Sequence, residues 1–308
     1  MTRFSPTFAA GGSLVASALS CAMLAQSVSA ERAPALARKA FQAASRLVTT
    51  AATVRDRDGR LVTNLGERDF VVQEDGRPQA LARFASERTP LSVAIAIDTS
   101  QSVRGEELQA TRAAVQRFID TALRPEDEVA LVSFNHAVQV VASWTLDRAR
   151  LRASLDALTP AGSTALYDAA SKTLSLFTAR SLQRAAMVIV SDGADSASNT
   201  TPTLLKKQLT GTDVFLYWIA VDRVDARPAT RVNPYTLASI AAQGNGYSEV
   251  IHDTGELGAA LTRVADELDH QYMLAYEPTT PANGSVHLLR VKVPSHDYVV
   301  RARQGVLR

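Results

Sequence analysis

The chain has 308 residues, a length that suits one large or two modest domains. Hydrophobic residues make up 46% and charged residues 21%, the balance of an ordinary soluble globular protein and not of a disordered tract. The formal charge is +2 and there is no run of like charges, so nothing in the bulk electrostatics calls for nucleic acid as a partner.

Residues 1–30 read as a cleavable signal peptide. Arg3 supplies a basic start, residues 14–25 form an apolar stretch too short and weak to span a bilayer, and Val28-Ser29-Ala30 places cleavage before Glu31. This predicts a secreted or periplasmic protein with no membrane span after cleavage. Cys21 is the single cysteine, and the position three before it, Ala18, is not the leucine of a lipid-anchored precursor. The processed chain therefore has no disulfide, no thiolate metal site and no cysteine nucleophile.

Residues 31–46 are rich in alanine and arginine and form a leader, helical or loose. Residues 47–89 read as an N-terminal β unit: 47–54 (LVTTAATV), Leu61-Val62, 69–73 and 79–84 have strand character, broken by the turns Asp58-Gly59 and Asp75-Gly76. From Leu91 the pattern changes. LSVAIAI is a continuous apolar run, as in a strand buried on both faces. A helix follows at 106–123, then strands at 128–134 and 138–144. Only three residues separate those two strands, so they must be antiparallel. Helices are predicted at 147–158, 165–180, 202–209, 234–243 and 254–271, with strands at 186–190, 213–221 and 247–251. Beyond 271 strand character returns at 272–276, 286–293 and 298–302.

This alternation predicts an α/β fold. Residues 90–271 form a doubly wound, mostly parallel six-stranded sheet with one antiparallel edge strand and order 3-2-1-4-5-6. Residues 272–308 form a C-terminal β unit that pairs with 47–89, giving a small β-sandwich into which the α/β region is inserted, since neither flank alone has strands enough for a core.

Three separate stretches carry oxygen-bearing side chains near the expected strand ends: Asp98, Ser100 and Ser102 in AIDTSQS, Thr164 in AGSTALYDA, and Asp192 in VIVSDGADS. Two carboxylates and three hydroxyls suit a hard cation such as Mg²⁺, with Mn²⁺ or Ca²⁺ as substitutes. Each also has a plainer reading. Ser100 or Ser102 could cap the helix at Glu106, Thr164 the helix that follows it, and Asp192-Gly193 could be a turn. Their conjunction at the crevice side of the sheet favours a metal site with an open position. Asp168 and Asp195 lie near it as supporting or capping residues. The loop at 222–233, with Arg223, Arg227 and Arg231, is a candidate selector of the partner.

These motifs resemble the von Willebrand factor A-type domain and its metal-ion-dependent adhesion site, over roughly residues 91–271. The flanks LVTNLGERDFVVQEDGRPQALARF, ELDHQYMLAYEP and VRARQGV resemble the bacterial VWFA-related, acidobacterial-type proteins. Val103 stands where Met is common, a change of packing and not of coordination. The resemblance implies Ser100, Ser102 and Thr164 as direct or near-direct ligands, with Asp98 and Asp192 direct or water-bridged. It implies a protein-binding, adhesion or scaffold module in which an Asp or Glu of the partner completes the metal sphere. The expectation is therefore of a non-enzyme. One alternative is a metal-dependent hydrolase or phosphatase with Asp98 as nucleophile; against it, Ser100 stands where a second Asp would serve as general acid, and no Gly-x-Ser-x-Gly, His-Glu-x-x-His or phosphate loop is present. The other is a structural component with an empty site.

Overall fold

Where the chain alternates apolar and polar residues it pairs antiparallel, and where its apolar runs are unbroken the strands are covered on both faces. The computed structural model describes residues 47–103, 105–192, 194–222 and 233–308. The expected signal segment, the leader, and Arg223, Arg227 and Arg231 lie outside the described residues. In chain order, β1 (Val48–Arg55), β2 (Val71–Glu74), β3 (Arg77–Gln79) and β4 (Leu81–Ala85) precede β5 (Leu91–Asp98). Then come α1 (Glu106–Arg117), β6 (Glu128–Phe134), β7 (Val138–Thr145), α2 (Arg148–Asp156), α3 (Leu166–Leu176) and β8 (Arg184–Ser191). They are followed by α4 (Pro202–Leu209), β9 (Val214–Val221), α5 (Pro234–Gln243), β10 (Tyr247–Ile251), α6 (Leu257–Asp269), β11 (Tyr272–Tyr276), β12 (Val286–Lys292), β13 (Val299–Ala302) and β14 (Gly305–Leu307).

The central sheet has the order β10-β9-β8-β5-β6-β7, and every pairing in it is parallel except β6 with the edge strand β7. Side chains of a strand point alternately to the two faces. In β5, Leu91, Val93, Ile95 and Ile97 join one core with α1 and α6, while Ala94 and Ala96 join a second with α3, α4 and α5. Both faces being dry explains why β5, β6, β8 and β9 contain hardly a polar residue.

The flanks build two four-stranded antiparallel sheets, β13-β1-β11-β4 and β14-β12-β2-β3. Each draws strands from both ends of the chain. One hydrophobic core, with Val54, Phe70, Val72, Tyr272, Tyr276, Leu289 and Val306, lies among them. Several details differ from the expected elements. The strand expected at 79–84 is two, β3 and β4, broken at Ala80. Leu61 makes only an isolated bridge to Arg55. α1 ends in a π-helical turn, Phe118–Ala122, and α3 in a 3-10 turn, Phe177–Ala179. β14 was not foreseen, because a three-residue strand beside Gly305 carries no periodic signal.

Candidate metal centre

β5 and β8 are adjacent, parallel and in register from Leu91↔Arg184 to Ile97↔Val190, so Asp98 and Ser191 emerge side by side at their carboxyl ends. Asp98 is 2% exposed. Its Oδ1 accepts from the Ser100 amide at 2.8 Å, the turn an aspartate makes with the backbone two residues on, and its Oδ2 accepts from Ser191 Oγ at 2.6 Å. Ser100 Oγ and Ser102 Oγ are 3.0 Å apart, and Ser102 Oγ donates to Asp192 Oδ1 at 2.9 Å. Asp98, Ser100, Ser102 and Asp192 thus form one hydrogen-bonded chain across the end of the sheet.

Thr164 is buried like Asp98 and Ser100 and lies on a neighbouring loop, with its hydroxyl outside this hydrogen-bonded chain. Its loop is tied to the Asp98–Ser102 turn where Ala161 N donates to Thr99 O and Gln101 N donates to Gly162 O, at 2.8 and 2.9 Å. Gly162 has φ +67, and a Cβ there would overlap the His136 ring. Both facts favour glycine.

None of the three hydroxyls is spent on capping. The N-cap of α1 is Gly105 and that of α3 is Ala165, neither with a side-chain cap. The segment after Asp192 caps α3 instead. Asp195 Oδ1 accepts from Leu166 N at 2.8 Å, and Ser198 Oγ accepts from Tyr167 N and Asp168 N. Ser196 Oγ accepts from Thr164 N, whose carbonyl in turn accepts from Ser196 N and Ala197 N. Asp168 grips the same segment, accepting from Asn199 N and Thr200 N at 2.9 and 2.7 Å. Burial pushes the Asp168 carboxyl up, but hydrogen bonds from Thr200 and Asn199 outweigh it and hold it below the usual carboxylate range. Asp168 and Asp195 therefore tie the loop between Asp192 and α4 to the first turn of α3.

The electrostatics of this end of the sheet are unfavourable to its own charges. Burial pushes the Asp98 carboxyl up against the hydrogen bonds from Ser191 and Ser100. Burial, then the charge of Asp98, push Asp192 up to about 7, and Glu107 in the first turn of α1 adds to the rise. Oxygen donors converging where carboxylates resist ionisation fit a hard divalent cation, which would remove that penalty. Glu107 and Ser191 escaped the sequence reading. Ser191 was visible as the residue before Asp192, but its partner is 93 positions away. Ser196 and Ser198 were hidden likewise.

A second group of possible ligands, Glu74, Asp75 and His287, lies in the flanking sheets. Glu74 already accepts from Tyr276 Oη at 2.8 Å and pairs with Arg308, and His287 Nδ1 is 2.7 Å from Asp75 Oδ2. Their oxygens and the His287 ring are thus already engaged with one another and with Arg308 and Tyr276.

A family model described as von Willebrand factor type A domain matches residues 93–194. No curated protein matches the chain. Among solved structures, a von Willebrand factor type A protein from Catenulispora acidiphila is 16% identical with a TM-score of 0.52, covering 77% of this chain and 70% of that one. The PilB minor pilin from Streptococcus sanguinis is 12% identical with a TM-score of 0.50, covering 60% of this chain and 63% of that one. At these identities the structural likenesses speak to the fold. Together with the family match they support a von Willebrand factor A-type domain within this chain.

Proposed function

We propose that this chain is a divalent-cation-dependent protein-binding module working outside the cytoplasm. Asp98, Ser100, Ser102, Thr164 and Asp192 would hold the ion, Mg²⁺ in the first instance. When bound, it supplies an electrophilic position that a carboxylate of a partner protein can occupy. The observation that carries this reading is the hydrogen-bonded chain from Asp98 through Ser100 and Ser102 to Asp192, built from residues on two separate loops. The chain's own part is to fix those oxygens. Ser191 and the Ser100 amide lock the Asp98 carboxylate, and the loop after Asp192 steadies Thr164. A fold shared with a minor pilin accords with a role in contact between proteins. The start of the sequence, read as a signal peptide, supports placement in the periplasm or outside the cell.

A hydrolase reading is weaker on the same geometry. As a nucleophile Asp98 would need an oxygen open to a substrate, yet its side chain is buried beneath the Ser100–Ser102 turn.

Melting temperature measured with Mg²⁺ and with EDTA tests the ion, because a ligand specific to the native state must stabilise it. The parent should melt higher in Mg²⁺, and Ser100→Ala and Asp192→Asn should lose most of the difference. A pull-down from an extracytoplasmic fraction, with Mg²⁺ or EDTA, tests the partner. An identical melting curve in both media would point to the purely structural alternative.

A further inference from the structure

At the seam between α5 and the flanking strands lies a cleft of about 250 Å³, lined among others by Arg290 and Lys292 of β12, Arg301 of β13, Arg303 and Asn245. Two exposed cations, Arg290 and Lys292, and two anchored ones, Arg301 and Arg303, are among its lining residues, and among the described residues no carboxylate lines it. Arg301 donates to Glu267 Oε2 at 2.6 Å, but that one buried carboxylate is shared with Arg55, 2.8 Å away. Arg303 hydrogen-bonds only to carbonyls: Nε donates to Gly305 O at 2.9 Å, Nη1 to Thr49 O at 3.2 Å and Nη2 to Gly211 O at 3.0 Å, and the Asp213 carboxylate acts on its charge without an ion pair. A guanidinium has five N–H bonds, so two remain, on a side chain already held in place. Arg290 and Lys292 are exposed and, among the described residues, make no ion pair. A cleft of this volume is several times the roughly 30 Å³ share of a water molecule, room for a tetrahedral oxyanion and its nearest waters.

Like charges gathered in a concavity repel one another, and the repulsion is relieved by an anion that several of them reach. Guanidinium groups match the geometry of phosphate and sulfate oxygens, and a pre-anchored one loses little freedom on binding. We propose that this seam is a binding site for a phosphate- or sulfate-type oxyanion, free or carried on a lipid headgroup, independent of the metal centre.

The test uses the processed chain in EDTA, which separates its outcome from that of the cation site. Melting temperature and calorimetric titration are followed with inorganic phosphate and sulfate, against chloride at matched ionic strength. A parallel arm measures sedimentation with phosphatidylcholine vesicles with and without phosphatidic acid. The variant is Arg290→Gln with Lys292→Gln, two exposed positions whose replacement leaves the anchored Arg303 and the Glu267 pair intact. The expected result is saturable binding to phosphate and sulfate beyond the chloride effect, weakened about tenfold or more in the double variant. Binding to phosphatidic acid vesicles with the same loss would identify the headgroup as the source. A response equal to that of chloride in both arms, or one undiminished in the double variant, would overturn the proposal.

Discussion

Ser102 and Asp192, 90 positions apart, are hydrogen-bonded at 2.9 Å across the end of the central sheet. The hydroxyl is one of two that meet there, and the carboxylate is the one whose charge is opposed by Asp98 and Glu107. The Ser102 hydrogen bond only partly offsets the burial and the Asp98 charge that raise the Asp192 carboxyl, and this makes the candidate centre sensitive to pH. The folded pKa of Asp192 is raised to about 7 from an ordinary 3.8, first by burial and then by Asp98, so folding takes up a proton between those values. Its contribution to stability without metal is fully present below about pH 4 and is lost as pH rises through about 7. Asp98, also raised, acts in the same direction. A bound divalent cation replaces that proton. The rise in melting temperature on adding Mg²⁺ should therefore grow from about pH 5 to about pH 8, and Asp192→Asn should flatten the trend. A Mg²⁺ effect that stayed constant over this range would contradict the assignment.

Ser191 holds the other oxygen of Asp98. Ser191→Ala removes a 2.6 Å hydrogen bond to a buried carboxylate. A loss of about 1–3 kcal/mol is expected in denaturant unfolding without metal. The same variant should need more Mg²⁺ to reach half of its stabilisation, because Asp98 is no longer locked. An unchanged Mg²⁺ midpoint would mean that Asp98 is oriented by the Ser100 amide alone.

Gly162 makes a separate prediction. An alanine there meets both the strain of positive φ and the His136 ring. Gly162→Ala should lower stability by roughly 1–2 kcal/mol. Adding His136→Ala removes the overlap but not the strain. The double variant should recover only part of the loss, and full recovery would show that the backbone at 162 tolerates a side chain.

Glu267 on α6 is fully buried and receives Arg55 from β1 and Arg301 from β13, at 2.8 and 2.6 Å. Tyr217 Oη is 3.2 Å from its other oxygen. Burial and the nearby Glu267 charge hold the Tyr217 hydroxyl well above its ordinary range, so it remains a donor. Glu267→Gln leaves two partly buried arginines without their counter-charge, and a loss of about 3 kcal/mol is expected in urea unfolding. A fragment of residues 90–271 should be destabilised for the complementary reason, since it keeps the carboxylate and loses both arginines. Independent two-state unfolding of that fragment with the stability of the full chain would show that the flanks contribute nothing to the α/β region.

The alternation of strands and helices over residues 91–271, the antiparallel edge at β7 and the stretches that carry the candidate oxygens are legible in the chain alone. Those features are written in local patterns. Unbroken apolar runs such as LSVAIAI need two covered faces, and a three-residue link between Phe134 and Val138 admits one pairing. Asp98, Ser100 and Ser102 were legible because they lie together on one turn, and Thr164 and Asp192 because each follows a recognisable apolar or glycine-bearing stretch. Which side chains answer one another emerges from the folded arrangement. That Ser191 locks Asp98, that Glu107 presses on Asp192, that the segment from Asp195 to Ser198 caps α3, and that four cations line one cleft all follow from contacts between distant positions. Such contacts leave no periodic trace in the chain, because side-chain period reports which face a residue takes and not what the fold brings opposite it.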